Sequence, residues 1–200
     1  MMNNNLKIGM EAPDFDAVST MGDISLSSYK GKWIVFFSHP NDFSPICTTE
    51  IIGLAKADTY FKKINTELIG ISVDSLNSHL AWLYDIYLKT GLIVNFPIIA
   101  DQNGVIARKY GMISNDVSST ETVRNIFIID DKGIIRSIFV YPMNIGRYIP
   151  EILRTVTALQ YSDQNNCMTP ANWSPGNPMI VPPPKTFNAC LLYTSPSPRD

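Results

Sequence analysis

The 200-residue sequence has three cysteines and two histidines. Cys47, Cys167 and Cys190 are far apart, which excludes a disulfide framework and suits a reducing cytoplasm. There is no CxxC, no HExxH and no cluster of carboxylates, so neither a metal site nor a cofactor is expected. Lysine and arginine form no block and the net charge is −2. Nucleic acid and anionic membrane surfaces are therefore not expected partners. The opening "MMNNNLKIGMEAPDF" has no apolar stretch of the secretory kind, and no apolar run nears the roughly 20 residues that cross a bilayer. Charged residues make up only 17%, whereas hydrophobic residues reach 45%. That balance builds a packed core in a chain long enough for one domain and an appendage.

Short β-branched and aromatic runs mark strands at Trp33–Ser38, Leu68–Val73, Phe96–Ala100, Asn125–Asp130 and Ile134–Tyr141. Most are continuously apolar, as in strands covered on both faces. "DDKG" between the last two predicts an antiparallel hairpin. "TTEIIGLAKADTYFKKI", "SHLAWLYDIYLKT", "GVIARKYG" and "PEILRTVTALQ" carry helical spacing, the last with Pro150 near its start. The resulting order predicts an α/β domain with a mixed central sheet flanked by helices. His79 falls on an amphipathic helix and is expected to be exposed.

After about Gln160 the chain becomes rich in proline. "TPANWSPGNPMIVPPPKTF" predicts extended, polyproline-like structure, and its Trp173, Met179, Ile180 and Val181 predict docking, as in the start of a small second module. The final "CLLYTSPSPRD" breaks the preceding pattern and resembles the translation of a common sequencing-library adapter. Residues 190–200 are therefore expected to be non-native and the natural C-terminus to be missing. The expected organisation is a main domain over 6–160, a partial second module over 161–189, and this tail.

The chemistry centres on "FFSHPNDFSPICTTE", residues 36–50. Ser44 is a good N-cap and Pro45 suits the first helical position, so Cys47 lands in a helix's first turn. Free N–H groups and the helix dipole favour an anion there. A thiol ordinarily titrates near 8.5, and such a setting lowers that value. Local sequence leaves a buried, inert cysteine open as the other reading. Glu50 stands where a CxxC enzyme has its second thiol. That leaves one-cysteine chemistry at this site, by way of a sulfenic acid.

"HPNDFSPICTTE" resembles the Pxxx(T/S)xxC motif of the peroxiredoxins, filled by Pro40, Ser44 and Cys47. "APDFDAVSTMGDISLSSYKGKWIVFFSHP", "GISVDS", "FPIIAD" and "TVRNIFIIDDKGIIRSIFVYP" are similar to family segments in the same order. "YPMNIGRYIPEILRTVTALQ" with "TPANWSPGNPMIVPPPKT" resembles the 1-Cys subgroup, and the likeness covers residues 6–188. The resemblance implies a thioredoxin-like fold, opening with an N-terminal hairpin, and thiol-dependent reduction of hydrogen peroxide and organic hydroperoxides.

It also implies roles. Cys47 would be the peroxidatic nucleophile. Arg124 would lower its pKa and hold the peroxide, Ser44 would orient the peroxide, and Pro40 would shield the sulfur. Glu50, Arg147 and His39 would be supporting residues. Donors aimed at the leaving oxygen are typically worth about 3 kcal/mol each by analogy with oxyanion holes. The implied partners are a peroxide, an external thiol reductant of thioredoxin, glutaredoxin or glutathione type, and a second copy in a homodimer. Cys167 is expected to be a packed bystander. Lys32 stands where some animal 1-Cys members carry a GxSxG serine, so lipase activity is not implied. A peroxide sensor or holdase-like binding protein on the same fold is the alternative.

Overall fold

The computed structural model describes residues 6–186. The chain divides into two compact units, residues 1–150 and 151–200.

The first unit is built on a seven-stranded sheet in the order β2-β1-β5-β4-β3-β6-β7. The strands are β1 (Asp16–Ser19), β2 (Gly22–Ser25), β3 (Trp33–Ser38), β4 (Thr66–Ser72), β5 (Ile98–Ala100), β6 (Arg124–Ile129) and β7 (Ile135–Tyr141). β3 runs parallel to β4, and β4 to β5. The other pairings are antiparallel. The sheet is thus mixed, as the strand and hairpin signals predict. β1 and β2 are only four residues each, too short for alternation to betray them.

β3 is buried at all six positions. Ile34 and Phe36 face a core that includes Phe15, Ile69, Ile71, Tyr110 and Phe127. Tyr110 meets the Phe36 and Phe127 rings edge-on, at 4.9 Å and 5.3 Å. On the alternate register Phe37 meets Phe96 at 5.9 Å, and the Arg147 guanidinium lies 5.2 Å over its ring. Each such aromatic contributes roughly 1.5–3 kcal/mol by leaving water. Packing here is tight at Gly70, where any side chain would push on its neighbours. A Cβ there would lie 3.1 Å from the Phe37 ring and 3.3 Å from Ile98.

Two long helices follow β3 and β4. α1 (Pro45–Lys63) begins as its sequence predicts, with Ser44 as N-cap and Pro45 first in the helix, and ends on Lys62 and Lys63, which suit the negative end of the dipole. α2 (Leu76–Thr90) is capped by Ser75, and Gly91 closes it in the left-handed conformation at φ 70°. α3 (Val105–Lys109) is a short helix before β6. The β6–β7 turn holds its shape through Asp130, whose Oδ1 accepts from the backbone N–H of Lys132 and Ile134.

α4 (Ile149–Asn165) leads into the second unit. There the proline-rich chain folds back rather than trailing away. Met168 and Ile180 exchange two backbone hydrogen bonds of 2.8 Å. Trp173 is buried, sits 5.9 Å from the Tyr161 ring and donates its indole N–H to the Asn177 carbonyl. Arg154 of α4 donates to the Trp173 carbonyl at 3.0 Å. The docking expected of Trp173 is therefore onto α4. Residues 190–200, expected to be non-native, lie outside the described residues.

Candidate active site

β3 delivers the chain to the site. It runs directly into His39 and Pro40, both buried. Phe43 then takes a positive φ of 57°, an uncommon conformation for a bulky residue, and the chain turns into α1. The Ser44 hydroxyl oxygen accepts from the Cys47 N–H at 3.3 Å. Cys47 sits in the first turn and is fully buried.

Strand pairing brings in the cation. β3 and β6 are antiparallel, with Phe37 opposite Ile126, so the end of β3 lies beside the start of β6. Arg124 opens β6. Its Nη1 lies 3.5 Å from the Cys47 Sγ and 2.6 Å from the Glu50 Oε2. Its Nε donates to the Met143 carbonyl at 3.0 Å. Arg147 closes the same network. Its backbone N–H and Nε donate to Glu50 Oε1, each at 2.9 Å, and its Nη2 donates to Oε2 at 2.7 Å. Its Nη1 reaches the carbonyls of Ser38 and Asn125. Glu50 and Arg147 are thus buried, not solvated. Burial alone would raise the Glu50 carboxyl, but the Arg147 charge and hydrogen bonds, aided by Arg124, hold it below the usual carboxylate range.

A second polar cluster lies beside the first. His39 Nε2 is 3.0 Å from Asp42 Oδ1. His79 Nδ1 is 2.9 Å from both Asp42 oxygens, and its Nε2 is 3.2 Å from the Ile99 carbonyl. The ligating atoms of the three side chains lie within 4.8 Å of one another. Burial lowers the His39 pKa despite Asp42. Burial would raise the Asp42 carboxyl, yet hydrogen bonds from His39 and His79 hold it far below its ordinary value. The Trp82 ring lies 5.1 Å from His39, and its indole N–H donates to Thr48 Oγ1 at 3.1 Å.

His79 corrects the sequence reading. It was expected on the exposed face of its helix and is fully buried. His79, Trp82 and Ile86 form the inward stripe of α2, a spacing of i, i+3 and i+7 that an apolar count passes over because the first member is polar. Asp42, Trp82 and the Met143 carbonyl also escaped notice. Asp42 carried a signal, standing inside the motif, but its partner is 37 positions away. Cys167 is partly exposed and its Sγ contacts the Asn165 carbonyl at 3.3 Å.

The AhpC/TSA family model matches residues 8–138, and the model of the C-terminal domain of 1-Cys peroxiredoxin matches residues 158–193. Peroxiredoxin 2 of Caldanaerobacter subterraneus is 56% identical over 181 residues, covering 90% of this chain and 82% of the relative. This chain is a peroxiredoxin. Peroxiredoxin 2 of Picrophilus torridus is 52% identical over 92% of the chain and 90% of its own length. Among solved structures, a yeast mitochondrial 1-Cys peroxiredoxin, studied for thiol resolving through glutathione/thioredoxin systems, superposes with a TM-score of 0.83 at 42% identity, covering 88% of this chain and 87% of that one. A cysteine-to-serine mutant of peroxiredoxin 6 from Arenicola marina gives 0.85 at 34% identity, covering 92% and 87%. The peroxiredoxin is thus of the 1-Cys subgroup, thioredoxin-like in fold and a thiol-dependent peroxidase. The sensor or holdase alternative is not favoured.

Proposed function

We propose that Cys47 is the nucleophile of this peroxiredoxin and that hydrogen peroxide and organic hydroperoxides are its substrates. One observation carries the reading: a single Arg124 nitrogen touches both the Cys47 sulfur and the Glu50 carboxylate. The buried set of Arg124, Arg147 and Glu50 bears one uncompensated positive charge, costly where water is absent. An anion on sulfur, or on the departing peroxide oxygen, neutralises it.

The thiolate attacks the terminal oxygen of ROOH. The S–O bond forms, the O–O bond breaks, and RO⁻ leaves to take up a proton as ROH. Cys47 is left as the sulfenic acid. Arg124 and the first-turn N–H groups of α1 stabilise the charge passing to the leaving oxygen. Ser44, whose oxygen already accepts from Cys47 N–H, keeps its hydroxyl hydrogen to donate to the peroxide. Pro40, buried just beyond the end of β3, shields the sulfur. Glu50 and Arg147 hold Arg124 in place, and His39, bonded to Asp42 and next to Pro40, is a supporting residue.

An external thiol then attacks the sulfenic acid, releasing water and forming a mixed disulfide, which a second thiol resolves. A thioredoxin-, glutaredoxin- or glutathione-type reductant supplies both. Few, scattered cysteines fit a cytoplasmic setting, and the working unit is a homodimer. Intact-mass analysis after one equivalent of hydrogen peroxide tests the assignment. A single added oxygen on the Cys47 peptide is expected, along with loss of turnover in Cys47→Ser and retention in Cys167→Ser. A Cys47–Cys167 disulfide, or loss of turnover in Cys167→Ser, would overturn it.

A further inference from the structure

The buried cluster of Asp42 and the two histidines fixes hydrogen positions by elimination. The Ile99 carbonyl can only accept, so His79 Nε2 carries a hydrogen. Asp42 is ionised, and both of its oxygens lie 2.9 Å from His79 Nδ1, so that nitrogen donates too. His39 Nε2 faces Asp42 Oδ1 and donates likewise. The other His39 nitrogen, Nδ1, is buried without a hydrogen-bond partner among the described residues. With these hydrogen positions the trio would hold one positive charge, one negative charge and one neutral ring, a balanced set for a dry interior, with Asp74 the next carboxylate, on the Asp42 N–H.

Its position relates it to catalysis. Asp42 lies between Pro40 and Ser44, in the loop that leads to Cys47. Its backbone N–H is tied to Asp74 Oδ2 at 3.1 Å, while its carboxylate is tied to His79 of α2. On the far side of Cys47, Trp82 of α2 donates to Thr48 Oγ1, which in turn donates to the Ser44 carbonyl at 2.8 Å. α2 thus grips the loop both before and after the thiol.

We propose that His79 is a positioning residue for peroxide reduction: as an imidazolium bonded to Asp42, it pins the Pro40–Cys47 loop to α2 and keeps His39 Nδ1 free of hydrogen. Removing the imidazolium leaves a buried Asp42 carboxylate whose remaining ring partner is His39. On this proposal His39 takes up the compensating proton on Nδ1, against the burial that disfavours its charged form. Between Pro40 and Ser44 the loop also loses its tie to α2, and the Asp42 N–H bond to Asp74 remains.

Long-range ¹H–¹⁵N correlation of the imidazole rings tests this on the intact protein. Wild type should show His79 with hydrogen on both nitrogens and His39 with hydrogen on Nε2 alone. In His79→Leu the His39 pattern should change to hydrogen on both. The second-order rate with hydrogen peroxide should fall by about tenfold or more. His79→Asn keeps an N–H directed at Asp42 from the place of Nδ1 and should recover most of that loss. Leu80→Ala, on the exposed face of α2, should match wild type. A singly protonated His79 ring in wild type would refute the proposal, and that spectrum decides even if His79→Leu does not fold. An unchanged rate or an unchanged His39 pattern in a folded His79→Leu protein would refute it equally.

Discussion

Replacing Glu50 by glutamine separates two effects that the wild-type site combines. Glu50 accepts four hydrogen bonds from two arginines. Glutamine has nearly the same shape but turns one acceptor into a donor, which would face guanidinium nitrogens. It also leaves both arginine charges buried without a counter-ion. Removing one member of a buried ion pair typically costs about 3–5 kcal/mol. In a protein of this size that corresponds to a fall in Tm of roughly 2–4 °C per kcal/mol. The effect on rate has two opposing parts. One Arg124 nitrogen touches both groups, at 3.5 Å and 2.6 Å, so sulfur and carboxylate are at most about 6 Å apart, where like charges repel by roughly 3 kcal/mol at an effective dielectric of about 20. Glutamine removes that repulsion, which favours negative charge on sulfur. It also loosens the hold on Arg124, which keeps the Met143 carbonyl as a fixed acceptor. If holding Arg124 in place is the larger contribution, Glu50→Gln should lower the second-order rate with peroxide by about tenfold or more. Stopped-flow peroxide kinetics on a variant shown to be folded by circular dichroism, with urea unfolding alongside, measures both quantities. A rate equal to or above wild type would show that charge relief dominates and that Glu50 does not act by positioning Arg124.

Arg124→Ala should slow attack on hydrogen peroxide by about tenfold or more, since it deletes both a donor and the charge beside sulfur; an unchanged second-order rate would remove Arg124 from the mechanism. Ser44→Ala removes the cap of α1 and should cost about 1 kcal/mol in urea unfolding, together with a loss of rate that Ser44→Thr restores. Acid should destabilise the fold in a defined window. Glu50 and Asp42 are both held below their ordinary values, so their contribution is full above the unfolded carboxylate range and is lost as pH falls below about 4. Unfolding followed from pH 7 to pH 2 should show that loss, and Glu50→Gln should flatten part of it.

What was legible in the sequence was local. Ser44, Pro45 and Cys47 lie within four residues, and the cap, the first helical position and the first turn follow from their order alone. "DDKG" marked its hairpin because Asp130 satisfies the turn's own N–H groups. β3 declared itself by the apolar run from Trp33 to Phe37, and all six of its positions are buried. Arg124 was reached only through family resemblance, because its contact with Cys47 spans 77 positions and depends on β3 and β6 pairing antiparallel. Glu50 and Arg147 were likewise placed at the site only through the resemblance. A charged residue early in a helix otherwise reads as solvated, and the partners of Glu50 are 74 and 97 positions away. His79 failed for the same reason: an inward polar residue is recognised by its acceptor, and Asp42 lies in another element.

The two buried networks differ in their charge balance, and that difference localises the chemistry. Asp42 meets two rings, and with the hydrogen positions proposed for them its set is neutral and serves to hold. Glu50 meets two guanidinium groups that cannot lose their protons, so its set is one negative charge short. Nothing in the Glu50 network can correct that deficit by shedding a proton, as a histidine could. The nearest atom able to bear the missing charge is the Cys47 sulfur, at 3.5 Å from Arg124. Arginine rather than histidine or lysine at positions 124 and 147 therefore matters for more than hydrogen-bond geometry. It makes the deficit permanent across the physiological pH range, so that in the mechanism proposed above the demand for an anion falls on the reacting sulfur and on the peroxide oxygen it displaces.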